Sequence, residues 1–557
     1  MDSIADVINL IQPMCFFMTI DFKDAYFSVF VRPEERKWLR FMWGGKHFQF
    51  TCLPQGLTSA PRIFTKLLKP VLSHLRKLGI TVSCYLDDCI FLAASVEELQ
   101  ANVSYAITLF DSLGLTVNVD KSVLIPTHEV EFLGIILNSV SMTATLPSRK
   151  RDRIKEQGLC LLKGEVTLHA LASFIGLTVA SAPAVNLAPL RYKYLEIIRN
   201  KGLSQHFGDY DSTVLLDAHS RELITWWIRN VDSLSRSLLS CPPQFEIHTD
   251  ACLTGWGAAV GDLTTGGHWA HTELDHINCL ELKAILLGLQ SLCKDYSQTH
   301  IRLRSDNTTA VACINRCGST KLSLNSVIED IFAWAESRRI TLSAQYVKGL
   351  DNVVADSASR LRNLDGEWML KPSIFRSLCR AFYMPEIDLF ASRLNSQLPK
   401  YVSWKPDPSA FNTKAFAIDW ADKNLYAFPP FRIIGRLLKK LREDKATMLT
   451  ILPLWPTQVW FPTALHLLAD APLLLPHNAL VLPQDPSRVH PRALKLTAML
   501  LSGNPLRTKA FRRMLPVSSL NLGEGVQFHN MGHISRDGCR FVSAGRLIHF
   551  NHLSMSS

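Results

Sequence analysis

The sequence predicts a mixed α/β and α+β multidomain fold, and three observations point there. The 557 residues exceed a single core, and at roughly 100 to 200 residues per domain they suggest about three to five domains. Hydrophobic residues make up 47% and charged residues 20%, which excludes a disordered, collagen-like or low-complexity chain. Short runs suited to strands are interleaved with longer stretches of helical period.

In chain order, CFFMTIDF, KWLRFMW and HFQFTCL predict strands and APRIFTKLLKPVLSHL a helix, which makes 1–140 a mixed region. Residues 141–243 turn helical, with amphipathic stretches around Leu159 to Leu177 and Leu215 to Ile228. Segment 244–362 runs strand (QFEIHTDA), glycine-rich turn and strand (GWGAAV), helix (CLELKAILLGLQSL), strand (HIRLRSDN), two helices and a strand (ITLSAQYV), the alternation of a sheet covered by helices. Region 363–485 is rich in Trp, Phe and Pro, and 486–557 is expected to be a basic, poorly periodic tail.

The net charge of +11 makes a polyanionic partner plausible on physical grounds. It is unevenly spread: 1–140 holds 12 basic and 14 acidic residues, whereas 486–557 holds 10 and 2. The tail and the 141–243 connector, with Arg149, Lys150, Arg151, Arg153 and Lys155 in a cluster, are therefore the candidate grips on phosphate, although a charge run is also the ordinary texture of a solvated face. Thirteen scattered Cys without a close-paired framework read as reduced thiols of an intracellular protein, nuclear or cytoplasmic. Prolines cut the most apolar stretch, Thr447 to Pro483, so no membrane segment is expected.

Seven carboxylates carry the chemistry. Asp21 ends one apolar run, and Asp87 and Asp88 sit between two others, as in a tight hairpin. Hard divalent ions take carboxylate oxygens, and a pair of ions can clamp the attacking and leaving oxygens of a phosphoryl transfer. The bland alternatives are a turn pair and a cap. Asp250, Glu281, Asp306 and Asp356 each fall where strand meets helix. Glu281 has Ala284, Ile285 and Gly288 on its own helix face, an inward face that implies a partner. Here too a capping box at Asn278 and Glu281 and an N-cap at Asp306 are open alternatives.

The motifs FMTIDFKDAYF, LPQGLTSAPRIF, YLDD, LGLTVNVDKS and EFLGIIL stand in the order of the palm motifs of retroelement reverse transcriptases, which 1–140 resembles. That resemblance implies Asp21, Asp87 and Asp88 as catalytic and metal-binding acids. It makes Tyr26 an aromatic gate against a 2′-hydroxyl, with simple packing as the alternative. Gln55 and Gly56 would line the nucleotide pocket, Lys121 would assist proton or phosphate traffic, and Leu133 with Gly134 would form the primer grip. By position 141–243 corresponds to thumb and connection. Only 20 residues precede Asp21, so the fingers are expected to be truncated and polymerisation weakened.

TDAC, LELKA, SDN and NVVADSASR resemble the ribonuclease H domain that follows such palms, which implies Asp250, Glu281, Asp306 and Asp356 as ligands for two ions and an RNA:DNA hybrid as substrate. The histidine that some retroviral domains carry before the last acid is missing from QYVKGLDNVVAD, a pattern similar to gypsy-type and DIRS-type elements. EIDLFASRLNSQLPKYVSW with Phe428, Pro429, Pro430 and Phe431 resembles a phage-type adenine methyltransferase domain whose catalytic loop is degenerate. Phe428 has no amide or carboxylate to accept an amino hydrogen, so an inactive α/β domain kept for packing or nucleic-acid contact is expected.

The expected protein is thus an RNA-directed DNA polymerase with ribonuclease H from a DIRS-type retrotransposon. It would use Mg²⁺ or Mn²⁺, two ions per active site. Its partners would be an RNA template, a DNA primer, the RNA:DNA hybrid, dNTPs and a recombinase of the same element. Two rivals stay open: a ribonuclease H whose palm is only scaffold, and a decayed remnant that binds nucleic acid without chemistry.

Overall fold

The computed structural model describes residues 2–239, 241–360, 367–485, 488, 490, 494–517 and 539–553. It is a mixed α/β and α+β multidomain fold whose chain divides into two units, Met1–Pro242 with Arg316–Asn325 and Pro243–Asn315 with Ser326–Ser557.

In the first unit the strand Phe16–Asp21 lies between Asp88–Ala93 and Val123–Thr127, with Thr81–Tyr85 at the edge, and all neighbours are antiparallel. Alternation along Phe16–Asp21 decides what each face covers. Met18 and Ile20 join a core with Phe64, Leu68, Leu75, Leu99, Val103 and Phe110. These come from the helices Ala60–Lys77 and Val96–Ser112. Phe17 joins a second core built with Phe132, Ile135, Phe174 and Trp227. Each large side chain so buried is worth about 1.5 to 3 kcal/mol. Pro70 lies inside Ala60–Lys77 without ending it, because it sits on the exposed face while Phe64, Leu68, Leu72 and Leu75 hold the other.

The hairpin Glu129–Phe132 with Ile135–Asn138 adds Thr143–Thr145 and Ser235–Ser237 to a second sheet. Helices Ser148–Lys163, Leu168–Ser181, Lys193–Gln205 and Ala218–Asn230 follow, as the helical pattern predicted. The basic cluster on the first of them is mostly committed to protein partners. Arg149 pairs with Glu131, Lys155 with Asp232 at 2.5 Å, Lys150 donates to the Ala180 carbonyl at 2.8 Å, and Arg151 donates to the Asp232 carbonyl. That leaves Arg153 as the member of the run outside this network, so the cluster is largely a structural seam.

In the second unit a five-stranded sheet runs Leu263–His268, Gly255–Val260, Phe245–Ala251, His300–Ser305, Thr341–Tyr346. The first three strands are antiparallel and the last two join in parallel. Helix Ile277–Leu292 packs on it, with Leu280, Ala284, Ile285 and Leu289 buried. The short helix Val353–Ser359 lies directly over the glycine strands. A Cβ on Gly257 would stand 2.2 Å from the Ala355 carbonyl oxygen. Only a residue without a side chain lets the two backbones approach this closely.

A six-stranded sheet completes the unit in the order Ile387–Asp388, Asn424–Ala427, Thr447–Pro453, Leu496–Ser502, Leu473–Leu474, Asn551–His552. Arg393 pairs with Glu273, and the Thr265 hydroxyl donates to the Pro406 carbonyl, linking the two sheets of this unit. The expected tail needs correction. Leu496–Ser502 pairs with Thr447–Pro453 over seven residues, so the boundary at 485 falls inside one sheet. Arg507, Arg512 and Arg546 bond to Thr447, the His466 carbonyl and the Leu515 carbonyl. Residues 486–487, 489, 491–493, 518–538 and 554–557 of that tail lie outside the described residues. Among the described residues no helix is long and apolar enough to cross a membrane.

Candidate active sites

The first site grows from the hairpin that follows Thr81–Tyr85. Register pairs Tyr85 with Asp88, leaving Leu86 and Asp87 as a two-residue turn. Leu86 has φ +58°, the positive angle that a type II′ turn requires at its first central position and that glycine usually supplies. A non-glycine residue there costs about 1 to 2 kcal/mol, a strain that the flanking ladder holds in place. The next strand sets Asp21 directly opposite Asp88, and the Phe22 N–H donates to the Asp87 carbonyl at 3.0 Å.

A cavity of about 220 Å³ opens beside this turn, lined by Asp21, Tyr26, Gln55, Asp87, Asn118 and Lys121 among others. Tyr26 is half-buried, its ring edge-on to Phe64 at 5.7 Å. Burial raises its pKa, with Asp87 adding to the effect. Asp88 is pushed up to about 6 by burial and by the charges of Asp87 and Asp21, with Lys121 acting against them. Asn118 went unremarked in the sequence. Its N–H donates to the Asp21 carbonyl at 2.8 Å, and Ser122 accepts from the Asp21 N–H at 3.1 Å. The N-V-D-K-S run was the available signal.

One of the two expected pocket residues lies elsewhere, and the expected primer grip is a separate turn. Gly56, at φ +88°, is not part of the cavity wall. Leu133 and Gly134 form the two-residue turn of the Glu129–Phe132 hairpin, both with positive φ, the type I′ pattern. They do not line the cavity.

The cysteines bring a further correction. Cys84 and Cys89 face each other across the hairpin and are joined by a disulfide, with Cα atoms 4.0 Å apart, where reduced thiols were expected. Register creates the pairing, which a search for close Cys spacing does not reveal.

The second site lies on the five-stranded sheet. Asp250, Glu281 and Asp306 each offer an oxygen within 4.8 Å of the others. Among the described residues this is the one set of three or more acid, His or Cys groups drawn that close; Asp21, Asp87 and Asp88 are not. Asp250 and Glu281 are buried, at 6% and 4% exposure. Burial, with Asp250 and Asp306 adding, pushes Glu281 up to about 8, and Glu281 Oε2 has no hydrogen-bond partner. Asp250 is also raised by burial, partly offset by the Ser359 hydroxyl, which donates to its Oδ2 at 2.5 Å.

A buried, orphaned carboxylate oxygen beside two further acids is the donor set a hard divalent cation takes. Asp356 stands outside the set. It is paired with Arg360 at 2.6 Å, one helical turn along, and acts on Asp250 through its charge. Ser359 and Arg360 were missed from sequence, although their i+3 and i+4 spacing from Asp356 was the signal.

Phe428, Pro429, Pro430 and Phe431 line a second cavity, of about 940 Å³.

Residues 1–137 match the reverse transcriptase (RNA-dependent DNA polymerase) family. Among curated relatives, the enzymatic polyprotein of cauliflower mosaic virus (strain NY8153) is 22% identical over 388 residues, 64% of this chain and 51% of that protein. Polyprotein P3 of Commelina yellow mottle virus is 21% identical over 368 residues, 62% of this chain and 18% of the relative. The Gag-Pro-Pol polyprotein of human T-cell leukemia virus 2 is 26% identical over 174 residues, 29% and 12%. The chain thus spans about half or less of these relatives. A foamy viral protease-reverse transcriptase solved with an RNA/DNA hybrid aligns at TM-score 0.39 and 17% identity, covering 66% of this chain and 50% of that one. The chain therefore carries a reverse transcriptase domain over residues 1–137 and is similar beyond it to retroviral and pararetroviral polyproteins.

Proposed function

We propose that the chain is an RNA-directed DNA polymerase joined to a ribonuclease H, belonging to a DIRS-type retrotransposon. Residues 1–140 serve as palm, 141–243 as thumb and connection, 244–362 as ribonuclease H, and the region from 363 as a methyltransferase-like domain without methyl transfer. The observation that carries the reading is the first cavity, where Asp21, Asp87, Tyr26, Gln55 and Lys121, separated in sequence, converge.

Two divalent ions, when bound at each acidic centre, would neutralise charge on the attacking and leaving oxygens of an in-line phosphoryl transfer. In the palm, Asp21, Asp87 and Asp88 hold oxygens at the primer end, and Lys121 offsets the charge they gather. Tyr26 stands under the incoming sugar, where a 2′-hydroxyl would meet the ring. In the second centre Asp250, Glu281 and Asp306 present oxygens to the scissile phosphate, while Ser359 fixes the Asp250 rotamer. The substrates are a primed RNA template with dNTPs, then the hybrid.

A second reading, ribonuclease H with a scaffold palm, is favoured by the tighter convergence of the second acid set. A paired assay on the purified chain decides: Mg²⁺-dependent DNA primer extension on RNA, and cleavage of a labelled RNA:DNA hybrid. Asp87→Asn should abolish extension and spare cleavage, and Asp306→Asn the reverse. Cleavage without any extension would replace the first reading by the second; absence of both would overturn the two together.

A further inference from the structure

The 940 Å³ cavity lies at the carboxyl ends of the parallel strands Ile387–Asp388 and Asn424–Ala427, the place where open α/β sheets receive ligands. Its volume falls within the roughly 300 to 1,000 Å³ typical of small-molecule sites. Phe390, Phe416, Phe428, Phe431 and Trp404 supply aromatic walls. Two polar side chains open on it from the strands. Asp388 is 2% exposed. Its two oxygens accept the Phe390 and Gln397 N–H groups at 3.4 and 3.0 Å, which leaves lone pairs for another donor. Tyr426 is 1% exposed, and its hydroxyl has no hydrogen-bond partner. A buried hydroxyl left so costs about 1 to 3 kcal/mol unless a ligand completes it.

The other chemistry is cationic. The strand Asn424–Ala427 leads through Phe428–Phe431 into the helix Ile434–Glu443, whose N-terminus has no side-chain cap. Ile433, Arg432 and Arg436 of this turn line the cavity. The two arginines make no ion pair among the described residues, and Arg436 stacks 4.1 Å from the Phe416 ring centroid. Lys414 and His490 also face the cavity, against Glu367, whose carboxylate is held by the Ser392 hydroxyl at 2.7 Å, and Asp388. The Ile433 and Ile434 N–H groups are already bonded to the Pro430 and Phe431 carbonyls, so the unpaired guanidinium groups are what form the anion site.

We infer that this cavity binds a nucleoside 5′-monophosphate, with the base between the aromatic side chains, a sugar hydroxyl on Asp388 and Tyr426, and the phosphate at Arg432 and Arg436. No group is transferred. The site is a recognition pocket, and its cationic rim turns away a ligand whose own charge is positive at that end.

The test is calorimetric titration of the full chain in EDTA, which leaves the two acidic centres without the cations that would hold nucleotide there. The probes are the four ribonucleoside 5′-monophosphates, the corresponding nucleosides, and S-adenosylmethionine, which lacks phosphate and carries a sulfonium. At least one monophosphate should bind with a Kd of about 10 to 100 μM, and its nucleoside at least about tenfold more weakly. Tyr426→Phe, which removes only the hydroxyl, and Arg436→Gln should each weaken that monophosphate about three- to tenfold with an unchanged melting temperature. No binding of any monophosphate at millimolar concentration, equal affinity for the nucleoside, tighter binding of S-adenosylmethionine, or undiminished affinity in both variants would overturn the inference.

Discussion

Replacing Glu281 by Gln should stabilise the metal-free protein at pH 8 and remove its response to Mg²⁺. The side chain is 4% exposed, lacks a partner for Oε2, and is pushed from the ordinary 4.5 to about 8 by burial and by Asp250 and Asp306. Because the folded value lies above the unfolded one, folding takes up a proton. The resulting stability is fully present below about pH 4.5 and is lost as pH rises through about 8. A displacement of that size disfavours the charged form by roughly 5 kcal/mol at about 1.4 kcal/mol per tenfold. Burial is the largest cause of that displacement, and each kcal/mol realised is worth about 2 to 4 °C in melting temperature for a domain of roughly 150 to 250 residues. The glutamine keeps the shape and abolishes the charge. The assay is amide hydrogen exchange of the helix Ile277–Leu292 in EDTA at pH 5 and pH 8, corrected for intrinsic exchange rates. The native chain should lose protection there between the two pH values and regain it with millimolar Mg²⁺, while Glu281→Gln should do neither. Equal pH dependence in the two proteins, or equal rescue by Mg²⁺, would refute the reasoning.

Other perturbations follow from the same geometry. Gly257→Ala places a methyl 2.2 Å from the Ala355 carbonyl oxygen, so it should lift the helix Val353–Ser359, cost about 2 kcal/mol or more, and lower hybrid cleavage while primer extension persists. Leu86→Gly relieves the left-handed backbone at φ +58° and should raise stability by up to about 1 kcal/mol, read as a shift of the urea midpoint of the first unit. Tyr26→Ala should widen the cavity beside Asp21 and Asp87 and raise ribonucleotide incorporation relative to dNTP by about tenfold or more, measured by competitive extension.

What could be read from the sequence was whatever depends on neighbours along the chain. The strand ending at Asp21, the tight hairpin around Asp87, and the inward face of Glu281 all follow from local period and turn chemistry, and the structure places them as expected, with the turn on Leu86 and Asp87 and Asp88 opening the next strand. Leu263–His268 was not foreseen as a strand, because LTTGGH has no apolar alternation; its Gly266 serves the close approach of a helix instead. The tie between Ser359 and Asp250 spans 109 residues, and only the folded sheet brings those positions together. Leu133 and Gly134 drew a primer-grip role from motif order, and the fold adds that both sit at positive φ in a hairpin turn. The segment LTAMLLS was masked by the basic residues around it, since composition averaged over a long window dilutes a seven-residue strand.

That seven-residue strand also sets when folding can finish. Thr447–Pro453 pairs on one side with Asn424–Ala427 and on the other with Leu496–Ser502. During synthesis the apolar face around Met448, Leu449 and Ile451 must wait until residue 502 has left the ribosome before its second neighbour exists. Such non-local closure is slow, and it leaves an unpaired edge open in the interval. Nascent chains stalled between 455 and 495 should therefore present that edge to chaperones or to one another, a hazard of translation timing that the finished molecule no longer shows.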